Sequence, residues 1–219
     1  MAGRPALRIL GVALSGLILS VASATGQQAE ADRERTVRMA DILTALGARD
    51  GAHIADVGAA DGFYALRIAR AVAPTGRAYA VDIDEGSLTK LRERAARDSI
   101  TNVEVILGAP DDPKLPLAAI DAVLIRNAYH EMPAHHSVVT GVARGLRPGG
   151  TLVVIESIRD DNRAKTREEQ VKEHEIAPEI VEAELREAGF EIVERQDPFT
   201  TFTRGAFWMI RARRPAAPR

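Results

Sequence analysis

The stretch that decides the fold is Ile54-Ala55-Asp56-Val57-Gly58-Ala59-Ala60-Asp61-Gly62-Phe63-Tyr64. Its first four residues predict a short strand, its glycines a tight turn, and its end the first turn of a helix. An α/β sheet binds a nucleotide-like ligand in such a turn, at the carboxyl end of its first strand. Gly58 permits the turn, and the missing Cβ of Gly62 lets the backbone approach a ligand closely.

The composition is that of one domain with a core of its own. The chain has 219 residues, 46% of them hydrophobic, which is enough to bury a core in a single domain. Its net charge of −2 gives no large basic field, so we do not expect a nucleic-acid partner. The absence of cysteine excludes disulfides, thiolate metal sites and a cysteine nucleophile. Arginines beside prolines predict a solvated tail over residues 214–219.

The first 24 residues are typical of a secretory signal peptide. Arg4 and Arg8 form a positive segment, residues 9–21 are apolar, and Ala22-Ser23-Ala24 offers a cleavage site. The apolar run is short for a spanning helix, which needs about 20 residues. We expect cleavage near Ala24, a linker over 25–34, and a periplasmic or secreted protein without a stable membrane span. An uncleaved anchor and a misassigned start codon are the alternatives.

Strand and helix patterns alternate downstream of the turn. We predict strands over 54–57, 78–83, 103–107, 119–125, 151–155, 190–193 and 206–210. We predict helices over 35–46, 62–72, 86–98, 133–146 and 177–188. The alternation implies parallel β-α-β units, and the last strand must return antiparallel because no helix precedes it. Residues 147–150 predict a sharp turn, and the charged residues 159–173 either a mobile lid or a solvated connector.

A second acid strengthens the prediction from the glycine turn, which many nucleotide-binding folds share. Asp82 ends the second predicted strand, 20 residues after Gly62. A carboxylate there can accept hydrogen bonds from both ribose hydroxyls of a nucleotide. The alternative is that Asp82 only caps the next helix.

Three segments together resemble motifs of the class I S-adenosylmethionine-dependent methyltransferases: Asp56–Gly62, Ala80–Asp84 and Leu146–Leu152. The resemblance covers about residues 35–213, so it implies a methyltransferase domain with S-adenosylmethionine as cofactor. It implies an α/β three-layer Rossmann-like sandwich, whose seven-stranded, mostly parallel sheet has the order 3-2-1-4-5-7-6 with strand 7 antiparallel. An NAD-type oxidoreductase is one alternative, although Ala60 stands where its G-x-G-x-x-G motif needs glycine. A non-catalytic cofactor-binding domain is the other.

The resemblance also assigns cofactor-binding roles. Asp56 and the Gly58–Gly62 backbone would hold the methionine part, and Asp82 the ribose. Ala60 replaces a glycine that is usual in the family. Adenine is expected after the third strand, where Ala109 replaces a common aspartate, so backbone groups or the nearby aspartates would hold it. The full predicted set is Asp56, Gly58, Ala59, Ala60, Asp61, Gly62, Tyr64, Asp82, Ile83, Ala109, Asp111 and Asn127.

The predicted catalytic residues are Tyr129, His130, Glu131 and His174. The first three follow the fourth strand, beside the expected position of the transferable methyl group. His130 could act as a general base toward a hydroxyl or amine, or it could only orient the loop with Glu131. Tyr129-His130-Glu131 resembles a group of bacterial methyltransferase-domain proteins, often with signal peptides. In that group a second histidine, here His174, precedes the last helix and would close over the site; the alternative is a solvated loop residue.

A metal site among His130, Glu131, His135 and His136 is the remaining alternative. On a helix the adjacent His135 and His136 point about 100° apart, so they cannot share an ion without a loop geometry. We therefore predict no metal. We expect the acceptor to be a small molecule, and its identity and nucleophilic atom are left open.

Overall fold

The computed structural model describes residues 34–216. The predicted signal peptide, nearly all of the predicted linker and the end of the tail lie outside the described residues. By its internal contacts the chain divides into two units between Met39 and Ala40. Apart from the start of the first helix, everything below concerns the second unit. Within residues 34–216, no helix is both long enough and apolar enough to cross a membrane.

Seven strands form one sheet, flanked by helices. The strands are β1 (His53–Val57), β2 (Arg77–Asp82), β3 (Val103–Leu107), β4 (Ile120–Arg126), β5 (Leu146–Arg159), β6 (Glu191–Phe202) and β7 (Gly205–Arg213). The helices are α1 (Met39–Ala45), α2 (Phe63–Val72), α3 (Glu85–Arg97), α4 (His135–Gly145), α5 (Arg167–Lys172) and α6 (Pro178–Glu187). A 3₁₀ turn covers Tyr129–Glu131.

The sheet order is β3-β2-β1-β4-β5-β7-β6. Strands β1 to β5 pair in parallel, and β7 is antiparallel to both β5 and β6. The predicted fold is therefore confirmed. Because β1 pairs with β2 on one side and β4 on the other, the strand order reverses at β1, and ligands bind beside the carboxyl ends of the strands at such a point.

Alternate residues of the central strands pack into opposite layers, as the strand period of two requires. In β4, Val123 and Ile125 belong to one hydrophobic cluster, while Ala122 and Leu124 belong to another. Residues of α4 and α6 join the first cluster, and residues of α1 and α2 join the second. Both faces of the sheet are thus covered, which makes the three-layer sandwich.

The last three strands are longer than predicted. Strand β5 starts at Leu146, which pairs with Ile120, but the next pair is Thr151 with Ala122. Residues 147–150, where the sequence predicts a turn, thus form a register shift, and Gly149 takes a φ of +80°. Strand β6 continues far beyond the predicted end at Val193. The sequence did not predict this extension because exposed residues alternate along it, as is typical of an edge strand. Pro198 lies in the register shift between Gln196 and Thr200.

The charged segment 159–173 contains a helix that the sequence prediction missed. Helix α5 begins with a capping box, in which Thr166 accepts a hydrogen bond from the backbone of Glu169 and the Glu169 side chain accepts one from the backbone of Thr166. The Thr-x-x-Glu spacing was a readable signal for it. Helix α4 begins at His135, two residues later than predicted.

Candidate active site

A cavity of about 440 Å³ opens at the carboxyl ends of β1, β2 and β4. This volume lies in the usual range of small-molecule sites. The cavity is lined by four of the predicted cofactor residues, which are Gly58, Asp82, Ile83 and Ala109. The loop and 3₁₀ turn after β4 contribute Ala128, Glu131 and Met132. Four predicted cofactor residues and one predicted catalytic residue, Glu131, therefore line the same cavity.

The glycine turn after β1 is closely held. Gly58 has a φ of +84°, and a Cβ built on it would lie 2.5 Å from the Ala128 Cβ. The backbone N–H groups of Gly58 and Ala59 donate to the carbonyl oxygen of Val81 over 2.9 and 3.0 Å. No side chain fits at Gly58, so the turn can adopt this path only with glycine.

Asp82 organises the turn from the neighbouring strand. Its Oδ2 accepts a hydrogen bond from the Ala60 N–H over 2.8 Å, and its Oδ1 accepts one from the Asp84 N–H over 3.0 Å. Each carboxylate oxygen keeps a second lone pair for a ligand. The alternative role of helix cap belongs to Asp84, whose side chain accepts from the backbone of Gly86 and Ser87.

Asp56 is a buried carboxyl at the end of β1. Its side chain is only 2% exposed, and Oδ2 has no hydrogen-bond partner among the described residues. Burial raises the pKa of Asp56 to about 7, opposed by a hydrogen bond from the Ala65 backbone. The charge of Asp82 raises this pKa further and that of Arg126 lowers it. A cation near Oδ2 would relieve this unfavourable burial.

The other predicted cofactor residues lie around the cavity rather than on its wall. Asp61 forms an ion pair of 2.7 Å with Arg94, and the Arg126 guanidinium lies 5.0 Å from the ring centroid of Tyr64. Asp111 lines a separate shallow groove. The remaining predicted residues belong to the turns that border the cavity. Ala59 is buried, and Ala60, Gly62 and Asn127 have positive φ angles. The Asn127 N–H donates to the carbonyl oxygen of Ile155.

His130 is buried in the 3₁₀ turn after β4 and oriented by Glu156. The His130 Nδ1–H donates to Glu156 Oε2 over 2.7 Å, while Glu156 Oε1 accepts from the N–H groups of Ala128 and Tyr129 over 2.7 and 2.6 Å. Both side chains are at most 2% exposed. Burial lowers the pKa of His130, but the hydrogen bond to Glu156 and the surrounding carboxylates outweigh it, so the pKa is raised.

Glu156 is the functional residue that sequence reasoning missed. It lies in β5 directly after Leu152–Ile155, four buried apolar residues, and is itself fully buried. A lone carboxylate in the continuous apolar run of a central strand was the available signal, because such a group is almost never buried without a partner.

Tyr129 points away from the cavity. Its side chain is fully buried, and its hydroxyl donates to Glu184 Oε2 over 2.9 Å. Burial and the charge of Glu184 raise the pKa of Tyr129. Glu184 Oε1 also accepts from Arg167 Nε of α5 over 2.6 Å and lies 3.3 Å from His135 Nε2 of α4. The geometry thus gives Tyr129 a positioning role for the 3₁₀ turn.

His174 follows α5 with a φ of +58° and a side chain that is 78% exposed. A left-handed residue commonly ends a helix, although it is usually glycine or asparagine. The His174 ring centroid lies 5.9 Å from that of His130, and its Nδ1 lies 3.9 Å from Glu131 Oε1. Residues 44 positions apart in the chain therefore meet beside the 3₁₀ turn.

A family model described as a methyltransferase domain matches residues 48–194. The chain belongs to the class I methyltransferases. The cofactor of this family is S-adenosylmethionine, as the sequence motifs predicted.

Among solved structures, an S-adenosylmethionine-dependent methyltransferase from Aquifex aeolicus superposes with a TM-score of 0.69 at 21% identity, covering 80% of this chain and 88% of its own. A possible exported protein from Bordetella parapertussis gives 0.63 at 18% identity, covering 84% and 68%. These two show the methyltransferase fold alone.

Curated relatives are also methyltransferases. The 27-O-demethylrifamycin SV methyltransferase of Amycolatopsis mediterranei is 29% identical over 75% of this chain and 63% of its own length. A ubiquinone/menaquinone biosynthesis C-methyltransferase of Pseudomonas entomophila is 27% identical over 53% of this chain and 46% of its own. This chain therefore spans about half to two thirds of the length of these two relatives.

The residues around the cavity fit S-adenosylmethionine. The buried Oδ2 of Asp56, which has no hydrogen-bond partner among the described residues, matches the ammonium group of the methionine part, and Gly58 lines the cavity in a turn packed against Ala128. Ile83 is 61% exposed and lines the cavity, while Leu107, which ends β3, is 44% exposed. Apolar side chains that are unusually exposed beside a cavity are suited to covering a flat heterocycle such as adenine.

Proposed function

We propose that this protein transfers a methyl group from S-adenosylmethionine to a small-molecule acceptor. The observation that carries the proposal is that one cavity borders both the Gly58 turn with Asp82 and the Glu131 segment. S-adenosylmethionine, when bound, supplies an electrophilic methyl group whose departure leaves a neutral thioether. Positioning the acceptor against that group can supply much of the rate enhancement.

The proposed roles of the residues follow from their contacts. Asp56 binds the cofactor ammonium, Asp82 accepts hydrogen bonds from the ribose, and Ile83 packs against adenine. On the acceptor side, the Nδ1–H of His130 is held by Glu156, so Nε2 is the nitrogen left to accept a proton from an acceptor hydroxyl or amine. The raised pKa makes His130 a stronger base than an isolated imidazole.

The size of the cavity supports a small acceptor. About 440 Å³ must hold the cofactor and leave its reactive end accessible. Met132 and Pro133 line the cavity, and its limited volume would favour a compact molecule over a folded macromolecule.

Calorimetric titration of the protein with S-adenosylmethionine, and separately with NAD, tests the proposal. We expect binding of S-adenosylmethionine alone. Asp82→Ala should weaken it at least about 100-fold, since the ribose partner is lost and the Ala60 N–H loses its acceptor. Asp84→Ala, which removes an exposed helix cap two residues on, is the matched control and should keep the affinity. Binding of NAD instead, or of neither ligand, would refute the proposal.

Asp56→Asn is expected to stabilise the free protein and to weaken cofactor binding. Raising the pKa from 3.8 to about 7 costs the charged form about 4 kcal/mol. The folded state holds the proton more tightly than the unfolded state, so wild-type stability falls as pH rises from about 4 to 7. Asparagine does not titrate, so the variant does not lose stability in this way. Its free energy of unfolding should exceed that of the wild type at pH 8 but not below pH 4. Urea unfolding at both values and calorimetry with S-adenosylmethionine check the two effects; a variant less stable than wild type at pH 8 would contradict the first.

We also propose that the protein acts outside the cytoplasm, as its leader predicts. The similarity to a possible exported protein from Bordetella parapertussis supports this. Fractionating producing cells and sequencing the mature amino terminus should find a periplasmic or secreted chain beginning at Thr25. An intact leader on a cytosolic chain would refute export.

A further inference from the structure

Three side chains with metal-binding donors converge beside the cavity, whose wall includes one of them, Glu131. They are His130 and Glu131 of the 3₁₀ turn and His174 after α5, and one ligand atom from each lies within 4.8 Å of the other two. Glu131 Oε1 lies 3.7 Å from His130 Nε2 and 3.9 Å from His174 Nδ1. Within residues 34–216, this is the one group of three such residues whose donors come this close.

His130 is already arranged as a metal ligand. Its Nδ1–H donates to the fully buried Glu156, so the lone pair belongs to Nε2, the nitrogen near Glu131. Ligating histidines almost always donate their other ring N–H to a carboxylate or carbonyl in this way, which fixes the ring and makes it a better ligand. Glu156 in turn is held by two backbone N–H groups.

The donor set selects a class of ion. Two imidazole nitrogens and one carboxylate oxygen suit zinc and other divalent first-row metals, whereas magnesium prefers oxygen ligands only. Three protein ligands leave a coordination position open, as in catalytic zinc sites. Ligands about 2.0–2.1 Å from tetrahedral zinc lie about 3.4 Å apart, so Glu131 must approach each histidine by about 0.5 Å or less, and the two histidines must approach each other by at most about 1.4 Å. The Glu131 and His174 side chains are 63% and 78% exposed, so this approach requires no repacking of buried side chains around them.

We propose that His130, Glu131 and His174 bind a divalent transition-metal ion that activates the acceptor. The role of the ion rests on the proposed methyl transfer. A coordinated acceptor hydroxyl has a lowered pKa and loses its proton to solvent. Its oxygen lone pair then forms the bond to the methyl carbon, while the carbon–sulfur bond breaks and its electron pair remains on sulfur. His130 thereby promotes deprotonation as a ligand of the ion, in place of accepting the proton itself.

Calorimetric titration with ZnCl₂ tests the site, using tag-free protein stripped with EDTA. We expect one site in the wild type, weakened at least about tenfold in Glu131→Gln and in His174→Asn. Asparagine tolerates the positive φ of His174, so this variant should fold normally. His136→Ala and Glu168→Gln remove an exposed histidine and an exposed glutamate elsewhere and should bind zinc as wild type does.

The outcomes separate this inference from the proposed function. Equal zinc affinity in wild type, Glu131→Gln and His174→Asn, or an equal loss in the His136→Ala control, would overturn the metal site. S-adenosylmethionine binding is measured on the same samples without zinc. Cofactor binding without zinc binding would leave the proposed function standing with His130 as the direct base. Zinc binding without cofactor binding would leave the metal site and refute methyl transfer.

Discussion

Gly58→Val is expected to abolish S-adenosylmethionine binding while the far-UV circular dichroism stays native. A Cβ at this position would lie 2.5 Å from the Ala128 Cβ. Ala128 cannot easily move, because its N–H donates to the buried Glu156. Valine would also be forced into a φ of +84°, which a β-branched residue almost never adopts. A combined loss of about 3 kcal/mol or more weakens binding at least about 100-fold.

Gly149→Val is the matched control for this experiment. Gly149 has a φ of +80°, but its Cβ would meet no atom within 4 Å. It lies near the start of β5, at the opposite end of the strands from the cavity. The control should therefore show the backbone strain as a lowered melting temperature and keep its cofactor affinity. If both variants bind S-adenosylmethionine as wild type does, the cofactor does not lie where we place it.

Glu156→Ala is expected to lower the free energy of unfolding by about 3–5 kcal/mol. The substitution leaves the N–H groups of Ala128 and Tyr129 and the Nδ1–H of His130 without their acceptor in the interior. Glu104→Ala is the control. Glu104 is a strand glutamate that is 45% exposed and pairs with Arg77, and such surface pairs contribute at most about 1 kcal/mol. Urea unfolding of the variants makes the comparison.

Glu156→Gln separates the charge of this residue from its shape. The amide can still accept from the backbone, but the pKa of His130 should fall because the negative charge is gone. A raised histidine pKa contributes stability below about pH 6.5 that is lost as pH rises through the folded pKa. The variant should therefore lose more stability at pH 6 than at pH 9. NMR titration of His130 in metal-free protein measures the pKa directly, and an unchanged value would show that Glu156 does not set it.

The sheet, and the meeting of the glycine turn with Asp82 at one cavity, could be predicted because their signals are local. The run from Asp56 to Gly62 contains the strand end and both turn glycines within seven residues, and Asp82 stands at the end of the next strand. Successive strands of a β-α-β fold run parallel, so residues at the ends of neighbouring strands come together at one edge of the sheet.

The acceptor half could not be predicted in the same way, since it is assembled from distant segments. His130 depends on Glu156 of β5, and Glu131 meets His174 only because α5 and its left-handed end bring that residue back over the 3₁₀ turn. No spacing rule connects these positions. The extent of β6 was also hidden, because an edge strand needs few apolar residues.

The buried carboxylate of Glu184 has a consequence for how acceptor specificity can change. It joins α6 to the 3₁₀ turn through Tyr129 and to α5 through Arg167, with His135 of α4 beside it. Residues that share one network give non-additive effects when they are replaced together. A single replacement in this network should disturb α4, α5, α6 and the 3₁₀ turn together. The network is therefore poorly suited to gradual adaptation. Met132 and Pro133 line the cavity itself, so we expect the proposed acceptor specificity to change more readily through these two residues.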